Sequence, residues 1–290
     1  MALTFGVELE FALAYIPNND PDPFGFKEKR TVRFVPIGED RPLWQTNTGE
    51  PTISTAKRYV ANTIHEAGHD VKLSPNGRSD ITKWEVATDP SVCGPDDSLT
   101  VGPFSIWGME VKSPALLFCS ESLKAVEHIC VLLTSKYCIN LNESIGLHVH
   151  VGNEQHGYTF ENVRKLMAFF WAFEPQLDSL HSPLRQDTYY ASSMRSKSQY
   201  VHDLETDHDK RPTPSEGASY FLNFQGQDAS YYEDFEEQSR ITEIIRWQRS
   251  LGGVRKSAYN FFNLLSNTWS TATGSKQTIE FRQHQGSLNG

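Results

Sequence analysis

The sequence predicts an α+β fold built on a largely antiparallel sheet, and three observations carry that reading. Segments that alternate between two kinds of side chain (LTFGVELEFALAY, SIWGMEVKSP, GLHVHVG, QTIEFRQH) read as strands, where neighbours point to opposite faces. Two long stretches, ESLKAVEHICVLLTSKYC and TFENVRKLMAFFWAFEPQLDSL, carry apolar residues at helical spacing. The strands also come in pairs with helices between them, an arrangement of mixed rather than strictly alternating layers.

Taken in order, LTFGVELEFALAY is the first strand, and a Pro-, Asp- and Gly-rich loop follows from Pro17 to about Glu50. Residues 51–67 read as a helix, with Ala56, Val60, Ile64 and Ala67 on one face. DVKLS is a strand, KWEVATDPS a strand broken at Pro90, and SIWGMEVKSP one broken at Pro114. The next helix lines up Leu123, Val126, Cys130, Leu133 and Tyr137. GLHVHVG is a strand between glycines, and the long helix after it has Thr159 as its cap and a bend expected at Pro175. From Arg185 to about Ser250 the chain is polar and partly acidic (DLETDHD, YYEDFEEQ), which predicts a solvated loop or lid. A last helix near 254–267 is expected before the strand QTIEFRQH.

At 290 residues the chain can bury one large core or two modest ones. Its 27 Lys+Arg stand against 36 Asp+Glu, a formal net charge of −9. With no basic stripe to meet phosphates, nucleic acid and membrane surfaces are not expected partners. The longest apolar run, near MAFFWAF, is too short to span a bilayer, and no charged-then-apolar leader opens the chain. Cys93, Cys119, Cys130 and Cys138 form no CxxC pair, which predicts reduced thiols in a cytoplasmic protein. There is no internal repeat and no P-loop.

HEAGH at 65–69 matches the H-E-x-x-H zinc-protease pattern, in which His65 and His69 would hold zinc and Glu66 would act as base, with Glu85 available as a third ligand. Gly68, however, sits directly before His69 and reads as a helix stop, which separates the two histidines. His148, His150 and Glu154 satisfy the cupin pattern HxHxxxE. The flanking glycines fall at the wrong offsets, a second histidine block is missing, and long helices do not suit a small barrel.

Alternate residues of a strand share a face at roughly 6.5–7 Å. By that rule Glu8 and Glu10 share a face, as do His148 and His150, and Glu280, Arg282 and His284. Glu110 lies beside Lys112 on its own strand. The opposite faces are apolar: Val7, Leu9 and Phe11; Leu147, Val149 and Val151; Ile279 and Phe281. An ordinary solvated face would favour Thr, Ser, Lys and Gln. If these faces converge, each like-charged pair would cost about 1–4 kcal/mol without a cation between them. Mg²⁺ or Mn²⁺ takes such oxygen ligands and keeps positions open for substrate phosphates, and Arg282 suits a phosphate oxygen. The pattern points to a nucleotide held by metals on an open sheet.

In this order, FGVELEF, WEVATDPS, GMEVKSP, GLHVHVG, EPQLDSLHSPLR, VRKSAYN and TIEFRQHQGSLN resemble the amidoligase family of carboxylate–amine ligases, from Phe5 to Asn289. The resemblance implies the glutamine synthetase-like catalytic fold: a curved, mostly antiparallel sheet with helices packed on one face. It implies a single catalytic domain over 1–290 in which 188–250 is a lid or specificity insertion. It implies that a carboxylic acid is joined to an amine using ATP, through an acyl phosphate and with release of ADP. Glu8, Glu10, Glu110 and Glu280 would be metal carboxylates, and one of His148 and His150 would face a metal or the ATP phosphates. Arg282 would stabilise the transferring phosphoryl group. Asp89, Arg185, Arg255 and Asn260 would serve substrate or nucleotide, Asp89 being the candidate base that takes the amine proton. The alternatives are a zinc metallohydrolase using HEAGH and a relative that binds nucleotide without turning it over.

Overall fold

The alternation in TFGVELEFALAYI becomes β1 (Thr4–Ile16). The structure, a computed structural model, describes residues 3–16, 32–33, 53–73, 81–94, 98–101, 104–154, 156–208, 210–226, 233–248, 256–265, 277–286 and 288. After β1 come β2 (Val32–Arg33), α1 (Ile53–Glu66), β3 (Val71–Leu73), β4 (Trp84–Thr88), β5 (Thr100–Val101), β6 (Phe104–Lys112) and β7 (Leu116–Leu117). Then follow α2 (Ser120–Lys136), β8 (Ile139–Asn140), β9 (Gly146–Gly152), α3 (Phe160–Asp178) and α4 (Met194–Lys197). The series closes with α5 (Gln199–His208), α6 (Pro214–Asn223), α7 (Glu233–Gln248), β10 (Tyr259–Asn260) and β11 (Thr278–Gln285). The mixed α+β class is as predicted, and the pairing is mostly antiparallel. The chain divides into two compact units: an amino-terminal unit of residues 6–147 with 286–290, and a carboxy-terminal unit of 1–5 with 148–285.

In the amino-terminal unit the strand order is β1-β6-β4-β3. β6 runs antiparallel to both β1 and β4, while β3 and β4 are parallel. Leu9, Phe11 and Leu13 on one face of β1 are buried, as are Met109 and Val111 of β6, and Leu9 lies opposite Val111 and Phe11 opposite Met109. α1 contributes Ala56, Val60 and Ile64, all fully buried, and packs on β3, β4 and β6. Gly108 in β6 is obligatory, because a Cβ there would lie 2.2 Å from the Asp89 carbonyl oxygen. α2 forms as expected, but its buried face is Ile129, Cys130 and Leu133; Leu123, assigned to the stripe, is 48% exposed. A single stripe cannot show where a helix leaves its neighbours.

In the carboxy-terminal unit the order is β10-β11-β9. Thr159 caps α3 by accepting the Asn162 N–H at 3.2 Å, and Pro175 is carried inside the helix. Val163, Met167, Phe170 and Trp171 of α3 form a core with Phe221, Ile241, Ile244, Tyr259 and Ile279. Phe170 stacks on Tyr259 at 4.4 Å. α6 approaches α3 closely at Gly217, where a Cβ would sit 2.0 Å from the Trp171 indole, so any larger residue would force the helices apart.

Two expectations are corrected here. The stretch read as a solvated loop from Arg185 to Ser250 contains α4, α5, α6 and α7. Its charge hid the helical spacing of Ile241, Ile244 and Ile245, which are buried, and the capping box of Thr213 and Glu216 that starts α6. Within the helix expected near 254–267, the described residues 256–265 instead form a bridge from Ser257 to Ser192, then β10 and a 3-10 turn at Phe262–Leu264. Tyr259 and Asn260 pair with Phe281 and Glu280, and that strand pairing wins over local helix propensity. The expected loop Pro17–Glu50 falls outside the described residues except for β2, which runs parallel to the end of β1. Among the described residues no disulfide joins the four cysteines, and no helix is long and apolar enough to cross a membrane.

Candidate functional site

Strand register assembles the first cluster. In the amino-terminal unit Glu8 lies opposite Lys112 and Glu10 opposite Glu110, while on the far side of β6 Glu85 lies opposite Lys112 and Ala87 opposite Glu110. The even-numbered face of β1 therefore meets the even-numbered face of β6 in two rows of ionisable side chains. All four carboxylates are buried, with Glu8, Glu10, Glu85 and Glu110 between 3% and 8% exposed. Lys112 bridges them, its Nζ 2.7 Å from Glu110 and 3.4 Å from Glu8, and Lys72 reaches Glu85 at 3.5 Å.

Burial first, and then the charge of Glu8, raise the Glu110 carboxyl well above its ordinary range despite Lys112. Burial works against the Lys112 ammonium, but Glu8 and Glu110 outweigh it and hold it charged. Glu10 accepts the Gly146 N–H at 2.7 Å. Asp89, at the end of β4, accepts both the N–H and the hydroxyl of Ser91 on one oxygen, at 2.7 and 2.6 Å. Among the described residues these four buried carboxylates bring hard oxygen donors together, the donor type that Mg²⁺ or Mn²⁺ takes.

The second cluster, in the carboxy-terminal unit, centres on Glu280 of β11. Asn260, its register partner on β10, donates to Glu280 Oε2 at 2.7 Å. Arg282 Nη1 donates to Glu280 Oε1 at 2.5 Å, and His148 Nδ1 lies 3.4 Å from the same oxygen. The Arg282 fork is held at its other end by Nε donating to the Tyr190 carbonyl at 3.1 Å. Arg185, 2% exposed, donates to the Arg282 carbonyl at 3.2 Å. His150 Nδ1 is 3.1 Å from the Thr278 hydroxyl and 3.4 Å from the Asn263 amide.

The sequence expected the apolar faces of these strands to be the inner ones. In β9 the reverse holds: His148 and His150 are buried, whereas Leu147, Val149 and Val151 are only partly so. The sequence-predicted residues thus fall into two sets. Glu8, Glu10, Asp89 and Glu110 belong to the amino-terminal unit, and His148, His150, Arg185, Asn260, Glu280 and Arg282 to the other. Arg255 lies outside the described residues. Glu85, weighed only as a zinc ligand with HEAGH, joins the first row instead; its place in the alternating WEV was the available signal. The Tyr190 carbonyl and Asn263 had no sequence signal, since neither lies on a predicted strand face.

HEAGH does not form the zinc-binding helix. α1 ends at Glu66, Gly68 takes φ of +90°, and the His69 N–H reaches back to Ile64 O at 3.2 Å while the Gly68 N–H bonds His65 O at 2.9 Å. This is a Schellman stop. It sends His69 away to His128 on α2, with Nε2 3.0 Å from Nδ1.

Compared with known proteins, residues 1–290 match the family described as “Putative amidoligase enzyme”. No curated protein and no solved structure matches the chain. The whole-length match, on a chain whose ELE, HVH and EFR strands carry these two buried clusters, makes the protein a member of that amidoligase family.

Proposed function

We propose that this amidoligase joins a small carboxylic acid to an amine at the expense of ATP, releasing ADP and phosphate. The observation that carries the reading is the pair of buried carboxylate rows on β1, β4 and β6, whose oxygen atoms are the donor type that Mg²⁺ or Mn²⁺ takes. Glu8, Glu10 and Glu110 would hold a divalent ion in the amino-terminal unit, and Glu280, His148 and His150 are the metal donors that the carboxy-terminal unit would offer. Bound there, the ion would neutralise charge on the ATP phosphates. Both clusters serve one reaction in this reading, and the chain takes the curved glutamine synthetase-like sheet with helices on one face. Four cysteines without a disulfide fit a cytoplasmic setting.

A carboxylate is a poor electrophile, so an oxygen of the acid attacks the γ-phosphorus of ATP, forming an acyl phosphate as the bond to ADP breaks. The protein's task in this step is positioning and charge neutralisation. Arg282 suits it because Tyr190 and Glu280 already fix its fork, and no reorganisation is needed when charge develops. The amine nitrogen then attacks the acyl carbon and phosphate leaves. Asp89 is the candidate to take the ammonium proton: Ser91 occupies one carboxylate oxygen and orients the other. The 188–250 segment would exclude water from the acyl phosphate.

The test incubates the chain with ATP, Mg²⁺ or Mn²⁺ and hydroxylamine across a panel of carboxylic acids. Hydroxamate and ADP in equal amounts are expected. Release of AMP instead would mean adenylation and sink the acyl-phosphate mechanism, and no nucleotide turnover with any acid would sink the ligase reading.

A further inference from the structure

The histidine that the HEAGH stop turns away meets a partner on α2 to which no sequence pattern pointed. His69 follows Gly68 out of α1, and the residue its N–H reaches back to, Ile64, is fully buried. His128 directly precedes Ile129 on α2, which is fully buried too. Thr63 Oγ1 and Tyr137 OH, 2.6 Å apart, tie α1 to the end of α2 a second time. Both backbones are thus anchored in the core of the amino-terminal unit, and the two imidazoles meet at its surface. The buried Trp84 ring stands edge-on to His69 at 6.0 Å and narrows the choice of rotamer.

His69 Nε2 and His128 Nδ1 are 3.0 Å apart, with the ring centroids at 5.2 Å. In a neutral pair one of these nitrogens carries a proton and the other accepts it. Two nitrogens that share one metal ion have the same spacing: bonds of about 2.0–2.1 Å at angles of about 90–110° place them roughly 2.9–3.4 Å apart. Among the described residues the outer nitrogens, His69 Nδ1 and His128 Nε2, make no hydrogen bond. Either ring can therefore carry its proton there and turn a lone pair inward with no change of charge. Burial first, then His128, hold the His69 imidazole below its ordinary range, which favours the neutral, ligating form. His69 is half-buried and His128 exposed, so an ion has a path in and room for its own water. Among the described residues no third His, Cys, Asp or Glu closes the set.

We propose that His69 and His128 form an open binding site for a divalent transition-metal ion, Cu²⁺, Ni²⁺ or Zn²⁺, with water in the remaining positions. Imidazole donors favour these ions, Cu²⁺ ahead of Ni²⁺ and Zn²⁺, over Mg²⁺, which takes oxygen. The site is exchangeable rather than structural, since two protein donors fall short of the four that close a structural zinc site. Occupied, it staples the end of α1 to α2 and adds to the stability of the amino-terminal unit. His65, the other histidine of HEAGH, is not one of its ligands. The site shares no residue with the two carboxylate clusters and stands whether or not the chain is a ligase.

Titration calorimetry on the full chain tests this with zinc chloride and nickel chloride as probes, in excess Mg²⁺ to compete at oxygen-donor sites. One equivalent is expected that His69→Gln and His128→Gln each weaken by at least about tenfold and that His65→Gln leaves unchanged. His128 is exposed, so His128→Gln keeps the fold, which its thermal midpoint without metal verifies. Electron paramagnetic resonance with one equivalent of Cu²⁺ should show splitting from two nitrogens in the unmodified chain and from fewer in His128→Gln. No saturable binding of either probe by the unmodified chain, no nitrogen splitting with Cu²⁺, or undiminished binding in folded His128→Gln would each overturn the proposal. An equal loss in His65→Gln would overturn it as well, by returning the ion to HEAGH.

Discussion

The two buried carboxylate clusters are built from the same strand chemistry and solve burial in opposite ways. Glu280 is compensated within its own unit: Asn260 and Arg282 donate to its two oxygens, and His148 stands beside one of them. Glu110 lies opposite another glutamate and beside Glu8, and one ammonium serves both Glu110 and Glu8. The consequence is visible in the Glu110 carboxyl, pushed up by burial and by Glu8. A satisfied carboxylate is an organised anchor that holds Arg282 in one geometry. The glutamate row is where, in the proposed reading, a divalent cation would add stability.

The sharpest way to break this comparison is Glu280→Gln. In the ligase reading it should lower hydroxamate formation by at least about a thousandfold, because the variant loses a proposed metal donor and one end of the Arg282 fork together. Retained turnover would show that Glu280 is only an anchor. A smaller effect is expected from Lys112→Met, which leaves Glu8 and Glu110 without their shared ammonium. The variant should lose about 3 kcal/mol of stability without divalent ions and regain much of it in millimolar Mn²⁺. A loss that Mn²⁺ does not reverse would remove the cation from the row.

Glu174 in α3 offers a contrast within the carboxy-terminal unit. It is buried and accepts from the Ser193 hydroxyl at 2.7 Å and from the Met194 and Arg195 N–H groups at 2.7 and 3.0 Å. Burial nevertheless pushes its carboxyl up to about 7. The folded chain therefore holds this proton more tightly than the unfolded chain. Stability from this group is fully present below the ordinary value of 4.5 and is lost as pH rises to about 7, by up to about 3 kcal/mol. Urea unfolding at pH 5 and pH 7.5 should show the slope, and Glu174→Gln should flatten it.

Thr213→Ala removes one half of the α6 capping box and should cost about 1 kcal/mol in the same assay. The smallest effect belongs to His65→Ala, which should leave both stability and turnover within error; loss of activity there would reopen the zinc reading of HEAGH.

What could be read in the sequence follows from periodicity. β1, β4, β6, β9 and β11 were legible because a period of two separates ionisable from apolar side chains, and the same period identified Glu8, Glu10, Glu110, His148 and Glu280. α1, α2 and α3 were legible from helical spacing, and Gly68 from the need for a left-handed stop. α4 to α7 were missed because a charged surface diluted the short apolar stripe of Ile241, Ile244 and Ile245. β10 was taken for helix because its two residues become strand only through Phe281 and Glu280.

By itself, then, the sequence determined which side chains share a strand face and that those faces carry too many carboxylates for ordinary solvent exposure. Only the tertiary structure decided that the ionisable faces are buried as well. It also decided that Lys112 lies between Glu8 and Glu110, and that Arg282 is held by the carbonyl of Tyr190. The physical reason is that a strand's period sets the direction of a side chain relative to its own neighbours. Burial and charge partners depend on register with strands and loops far away along the chain, where no local pattern is written.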